Sequence, residues 1–300
     1  MTVARRTNAV LRAGILRAAD DRHVQGFMSR YGMRLGAARF VAGEDLDECV
    51  AVLRRLADQG LHTNTTLLGE SVRDRGEAEA VANEYGRVLE RLHAEKLPCN
   101  VALKLTHLGL ELDEEVAYAN VEQVVAIAER LGSFVRIDME ASNVVDATLR
   151  IYRRLREAGH DRVGTVLQAY LFRTDQDLES LLPLAPNLRF VKGAYLEPPD
   201  IAYADKADVD EAYLRLVETA LRGGAYAAIA THDDATRDAV AGSDNRTRPS
   251  AIASITLLTP CVCELLRRPI EPAMAAAATG IVRRSHRGNL AIESTMLSAP

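Results

Sequence analysis

Cysteine is scarce in this sequence, with four residues in 300, Cys49, Cys99, Cys261 and Cys263. They form no CxxC pair backed by a second ligand pair, so they read as ordinary thiols, kept reduced in a cytoplasmic setting. No dense run of Lys and Arg occurs and the formal net charge is -5, which excludes a nucleic-acid partner, because phosphate contacts need a basic face. The longest apolar run, 252–266, is broken by Thr256, Thr259, Pro260 and Glu264 and is too short to cross a bilayer. No apolar leader follows the first residues. Also missing are G-x-G-x-x-G, G-x-x-x-x-G-K-[ST], H-E-x-x-H and G-x-S-x-G. Rossmann, P-loop, zincin and serine-hydrolase readings therefore lose their best support. The expectation is a soluble, cytoplasmic, mildly acidic protein.

What is present is an ordinary globular composition, 48% hydrophobic and 26% charged. From about residue 44 to 224, short β-branched runs alternate with helical patterns, the signature of βαβ units and a parallel sheet. Strands are expected at 61–67, 101–105, 134–139, 164–169, 188–192 and 225–230. Between them, Ala117, Val121, Val124, Val125, Ala128 and Leu131 share a helical face that Gly132 ends. Thr174 is expected to cap a helix over 175–182. Further helices are expected at 146–156, ending at Gly159, and at 208–221, ending at Gly223 and Gly224. The first 60 residues read as two or three helices packed outside the sheet, and 61–240 as the barrel-like unit. Residues 241–300 read as an atypical tail. Its start, 241–250, is polar and turn-rich and is expected to be a loop. Beyond Tyr226 there is no aromatic residue, so the tail is a poor source of further strands. A helix over 275–278 is expected from the alanine run. Periodicity alone leaves two α/β folds open, a (β/α)₈ barrel and an open doubly wound sheet.

Barrels of this class build their sites from the carboxyl ends of their strands. Here those ends carry Lys104, Asp138, Gln168, Arg189 with Lys192, and Thr231 with His232. Each has an ordinary explanation when taken singly. Lys104 can be a snorkelling strand lysine, Asp138 a helix cap and Gln168 a satisfied sheet neighbour. Arg189 and Lys192 can face water, His232 can lie on the surface, and Asp233 and Asp234 can serve a helix dipole. Recurrence at one structural level favours a site instead. Cations converging with one aspartate suit a carboxylate-bearing substrate and a phosphate-bearing cofactor.

Eight blocks in order resemble the proline dehydrogenase family. They are Arg39-Phe40-Val41-Ala42-Gly43-Glu44, Leu67-Leu68-Gly69-Glu70, Leu103-Lys104-Leu105-Thr106, Ile137-Asp138-Met139-Glu140, Thr165-Val166-Leu167-Gln168-Ala169-Tyr170, Phe190-Val191-Lys192-Gly193-Ala194-Tyr195, Asp205-Lys206-Ala207-Asp208-Val209-Asp210 and Ala230-Thr231-His232-Asp233. The resemblance implies a distorted (β/α)₈, TIM-like barrel that holds FAD. It implies oxidation of L-proline to 1-pyrroline-5-carboxylate, transfer of the electrons to a quinone, and any membrane contact only peripheral. It also implies roles for single residues. Lys104 would pair with the substrate carboxylate, Arg189 would lie by the reactive flavin nitrogen, and Asp138 would orient that cluster, so Asp138 and Arg189 stand as the catalytic pair. Met139, Gln168, Lys192, Gly193, Ala194, Thr231 and His232 would line FAD. After the sixth strand the resemblance stops, and strands seven and eight are expected to be absent or disrupted, as if the terminus had been replaced by a shift of reading frame. Arg267-Arg268 reads as a pair on a solvated helix rather than the family's carboxylate clamp. Two further readings stay open, an inactive remnant of the enzyme and an unrelated barrel lyase using Lys104 or Lys192 as a Schiff-base nucleophile.

Overall fold

A computed structural model of the chain describes residues 45–69, 71–244 and 252–256. In chain order the elements are α1 (Leu46–Asp58), β1 (Thr63–Thr66), α2 (Arg75–Ala94), β2 (Cys99–Leu103), α3 (Glu114–Arg130), β3 (Val135–Ile137), α4 (Val145–Glu157), β4 (Val163–Gln168), α5 (Thr174–Leu181), β5 (Asn187–Val191), α6 (Lys206–Arg222), β6 (Tyr226–Ala230), α7 (Asp234–Asp244) and β7 (Ile252–Thr256). The seven strands form one sheet in the order β1-β2-β3-β4-β5-β6-β7, every neighbouring pair parallel. A doubly wound sheet reverses its strand order at a switch point. This one never reverses, so of the two folds that periodicity leaves open, the barrel type is the one observed.

The helices form because acidic caps and apolar stripes coincide. Asp45, Asp74 and Asp113 each accept a hydrogen bond from a first-turn amide, those of Glu48, Glu77 and Glu115, which satisfies a donor that no helical carbonyl can reach. α3 buries Ala117, Val121, Val124, Val125 and Ala128, the face read from the sequence. Gly132 and Gly159, at φ 69° and 93°, take the left-handed conformation that ends α3 and α4. Thr174 does not cap α5. It is the first helical residue, and its hydroxyl donates to the Gln168 carbonyl instead, 2.6 Å away. The helix begins so soon after β4 that the hydroxyl satisfies the strand end rather than its own helix.

Two fully buried arginines cross β4 in opposite directions. Arg136 of β3 donates to Asn187 O at the start of β5, 3.1 Å away, and to Thr165 O, 3.3 Å away. The crossing is open because β4 carries Gly164 at that level: a Cβ there would lie 2.6 Å from the Arg136 guanidinium and 2.5 Å from Asn187 O. One layer higher, Arg189 of β5 reaches back over β4 to Asp138, just beyond β3.

Two expectations for the C-terminal part are revised. α7 continues through Asp244, so 241–250 is not all loop. A seventh strand does pair with β6, over Ile252–Thr256, with a register shift at Ala227/Ala228. The β-branched residues Ile252, Ile255 and Thr256 supply strand propensity without aromatics. The helices expected before residue 45, the helix at 275–278, Cys261, Cys263 and the Arg267-Arg268 pair lie outside the described residues.

Candidate functional site

All six strands β1 to β6 are parallel, so their carboxyl ends gather on one rim. β2 ends at Leu103, and Lys104 follows it half-buried. The Leu103 carbonyl accepts from the Asp138 amide at 2.8 Å, which sets Asp138 beside Lys104 across the β2–β3 boundary. The Asp138 carboxylate accepts from the Arg189 guanidinium. The arginine side chain is 1% exposed and the aspartate 15%. Burial pushes the Asp138 carboxyl upward, against the opposing pull of the Arg189, Lys104 and Arg136 cations.

Glu140 is the residue of this cluster to which the sequence reading assigned no role. Its buried carboxylate accepts from the Thr106 amide at 3.1 Å and the Thr106 hydroxyl at 2.5 Å. Its main-chain carbonyl accepts from the Gln168 side-chain Nε2 at 2.8 Å. Burial raises its carboxyl too, with the Thr106 hydrogen bonds and Lys104 opposing. One acidic side chain thus ties the ends of β2 and β3, and Gln168 ties in β4. The signal was present in the block Asp138-Met139-Glu140, where a second acid follows at the strand end. What sequence could not supply is that Thr106 waits opposite it. Met139, between the two acids, is buried within the apolar core.

The rim continues through β5 and β6, where the remaining expected residues fall. Gly193 has φ 122°, and a Cβ there would lie 2.2 Å from the Tyr170 ring. Only glycine serves where the backbone must approach so closely. Ala194 is half-buried beside it. Thr231 is 3% exposed, and its hydroxyl accepts from the Asp233 amide at 3.1 Å. His232 is exposed, with its imidazole held below its ordinary value by partial burial and by Arg237. Lys192 is not aimed at the Asp138 cluster. Its ammonium binds Asp210 of α6, Asp233 at 2.9 Å and Thr236 of α7 at 3.1 Å. The expected residues therefore fall into two groups on one rim. Lys104, Asp138, Gln168 and Arg189 converge, while Lys192, Gly193, Ala194, Thr231 and His232 flank them on the ends of β5 and β6.

The family model described as proline dehydrogenase matches residues 49–253. A protein of Deinococcus radiodurans named proline dehydrogenase is 39% identical over 227 residues, covering 74% of this chain and 73% of the relative. Proline dehydrogenase 1 of Bacillus subtilis strain 168 is 37% identical over 225 residues, covering 75% of this chain and 74% of the relative. Among solved structures, proline utilization A from Bdellovibrio bacteriovorus, inactivated by N-propargylglycine, superposes with a TM-score of 0.73 at 21% identity. It covers 87% of this chain, which spans 31% of that larger protein, and shows the barrel fold.

Proposed function

Because this chain belongs to the proline dehydrogenase family, as an oxidoreductase of proline catabolism, we propose that it oxidises L-proline to 1-pyrroline-5-carboxylate with FAD held on the rim described above. The observation that carries the site assignment is the buried Asp138–Arg189 pair with Lys104 beside it. Lys104 is half-buried and placed to receive the carboxylate of the substrate as a point charge. Asp138 fixes the Arg189 guanidinium in one orientation, so its donors are preorganised rather than recruited during the reaction. A flavin held there would supply the two-electron acceptor that oxidation of the substrate's carbon–nitrogen bond requires. The Arg189 guanidinium, held by Asp138, would be suited to stabilise negative charge on such a group.

The rim residues fit such a cofactor in their chemistry. Gly193 offers backbone without a side chain, Lys104 and Arg189 supply cationic character, and Lys192 is held at the edge by Asp210 and Asp233. Met139, Gln168, Ala194, Thr231 and His232 complete the proposed lining. The proposed electron acceptor is a quinone, reached by peripheral contact with a membrane. No helix among the described residues is long and apolar enough to cross one. Of the readings that the sequence left open, neither the inactive remnant nor the Schiff-base lyase is favoured by the family relationship.

The test is the visible spectrum of the purified chain reconstituted with FAD, before and after anaerobic addition of L-proline. A flavin band that bleaches with proline is expected. A protein that takes up no flavin, or whose flavin stays oxidised in excess proline, would overturn the proposal.

A further inference from the structure

The proposed chemistry leaves the block Asp205-Lys206-Ala207-Asp208-Val209-Asp210 without a task. The block opens α6, and Lys206, Asp210 and Tyr213 stand at i, i+4 and i+7, a single stripe along the helix. We infer that this stripe is a positioning device that sets the separation of the β5 and β6 ends on which Lys192, Gly193, Ala194, Thr231 and His232 lie. The inference rests on the proposed flavin site.

Tyr213 carries the argument furthest. Its side chain is fully buried. Its hydroxyl donates to Phe190 O of β5 and accepts from Ala230 N–H of β6, each at 3.0 Å. The β5–β6 ladder starts with Tyr226 N–H to Pro186 O. Parallel pairing then advances two residues per rung, so the register Phe190↔Ile229 brings Ala230 N–H opposite Phe190 O as the last rung. The tyrosine hydroxyl is bonded to both groups of that rung. Beyond it the two strands separate into the rim residues. A helix side chain wedged into the final rung fixes how far apart those residues begin.

The charged part of the stripe holds the continuation of both strands. Asp210 takes the Lys192 ammonium from the β5 end, and Lys206 bridges Asp210 and Asp233. Asp233, just after β6, also accepts from the Thr236 amide at 3.2 Å and so caps α7. Exposed ion pairs contribute little, and Lys206 is 69% exposed. Lys192, Asp210 and Asp233 are only 22%, 28% and 21% exposed. Two lysines matched by two aspartates leave this corner neutral, so its role is to hold geometry rather than to attract an anion. The Lys104–Asp138–Arg189 group is tied separately, through Leu103, Thr106 and Gln168, and does not depend on α6.

That separation makes the inference testable on the full-length chain with Tyr213→Phe, Asp210→Asn and, as a control, Val217→Ala. Val217 is buried on the same helix, and its hydrocarbon side chain can make no hydrogen bond to the rung or the lysines. Measured are FAD affinity by quenching of flavin fluorescence, the circular dichroism of the bound flavin, thermal unfolding, and KM for proline at saturating FAD. Expected is a tenfold or greater loss of FAD affinity in both rim variants, with an altered flavin dichroism and KM for proline within twofold of wild type. Val217→Ala should lower the unfolding temperature while leaving FAD affinity unchanged. Equal FAD affinity in wild type, Tyr213→Phe and Asp210→Asn, or an equal loss in Val217→Ala, would overturn the inference and leave the flavin reading standing. Should Tyr213→Phe fail to fold, Asp210→Asn, at a partly exposed position, decides alone. A wild-type chain that binds no FAD overturns both.

Discussion

Arg189 and Asp138 are buried against each other, and the cost of separating them is set by what is left behind. Replacing Asp138 with Asn removes the carboxylate paired with a guanidinium that is 1% exposed, so the expected loss is about 3–5 kcal/mol in chemical denaturation. Adding Arg189→Met to that variant should recover part of the stability and none of the activity. Lys104 is half-buried, and losing a charge-assisted contact to the substrate carboxylate costs about 1.5–3 kcal/mol. Lys104→Met should therefore raise KM for proline roughly ten- to hundredfold, as that range converts, with FAD affinity unchanged in fluorescence titration. Glu140 gives a pH signature. Its carboxyl is raised in the folded protein, so the folded state holds its proton more tightly than the unfolded chain. Its contribution is complete below the unfolded value, about 4.3, and is lost as pH rises through the folded value. Glu140→Gln should keep hydrogen bonds to Thr106 and flatten that fall, measured as stability against pH from 4 to 7. The identities of these residues were legible as strand ends. Their pairing was not, because Arg189 and Asp138 are 51 positions apart and only the sheet brings them together.

The helices show where sequence patterns suffice. Asp74 accepts from the Glu77 amide at 2.9 Å, and Glu77 in turn accepts from the Arg73 amide at 2.8 Å. Asp74→Ala should cost about 1 kcal/mol of stability, with Asp74→Asn retaining most of it, both read by urea denaturation and both leaving KM unaltered. Cap, apolar stripe and terminal glycine are local signals, and the helices at 117–131, 146–156 and 208–221 are observed close to the expected bounds. Strand bounds were expected too long at their carboxyl ends, as at 101–105 and 134–139, where β2 and β3 stop at Leu103 and Ile137. Those ends read as strand because they are apolar and β-branched up to the rim. The strands end because β2 passes into a helical turn at Thr106–Leu108 and, past Ile137, the Asp138 carboxylate is taken up by Arg189. Thr174 was misread for a related reason, since a hydroxyl near a helix start can satisfy either its helix or the preceding strand, and spacing does not say which.

For the molecule as a whole the unbroken strand order matters most. β6 is shielded on its outer side by β7, paired in parallel from Ala227↔Ile252 to Ala230↔Thr256. A chain cut after Ser250 would present the β6 edge with its unpaired backbone groups, a template for association. Such a chain is expected to scatter light on concentration and to hold FAD more weakly, because Thr231 and His232 follow directly on that strand. Size exclusion with light scattering, alongside the intact chain, checks it.

By itself the sequence determined the alternation of strand and helix, the family, and which residue types stand at the strand ends, because each of these is written in periods and blocks a few residues long. Tertiary structure decided between barrel and doubly wound order, drew Glu140 and Thr106 into the cluster, turned Lys192 toward α6 and α7, and set the Tyr213 hydroxyl into the last rung between β5 and β6. Those outcomes depend on contacts between residues tens of positions apart. Such contacts exist only once the sheet has brought the strand ends to one rim.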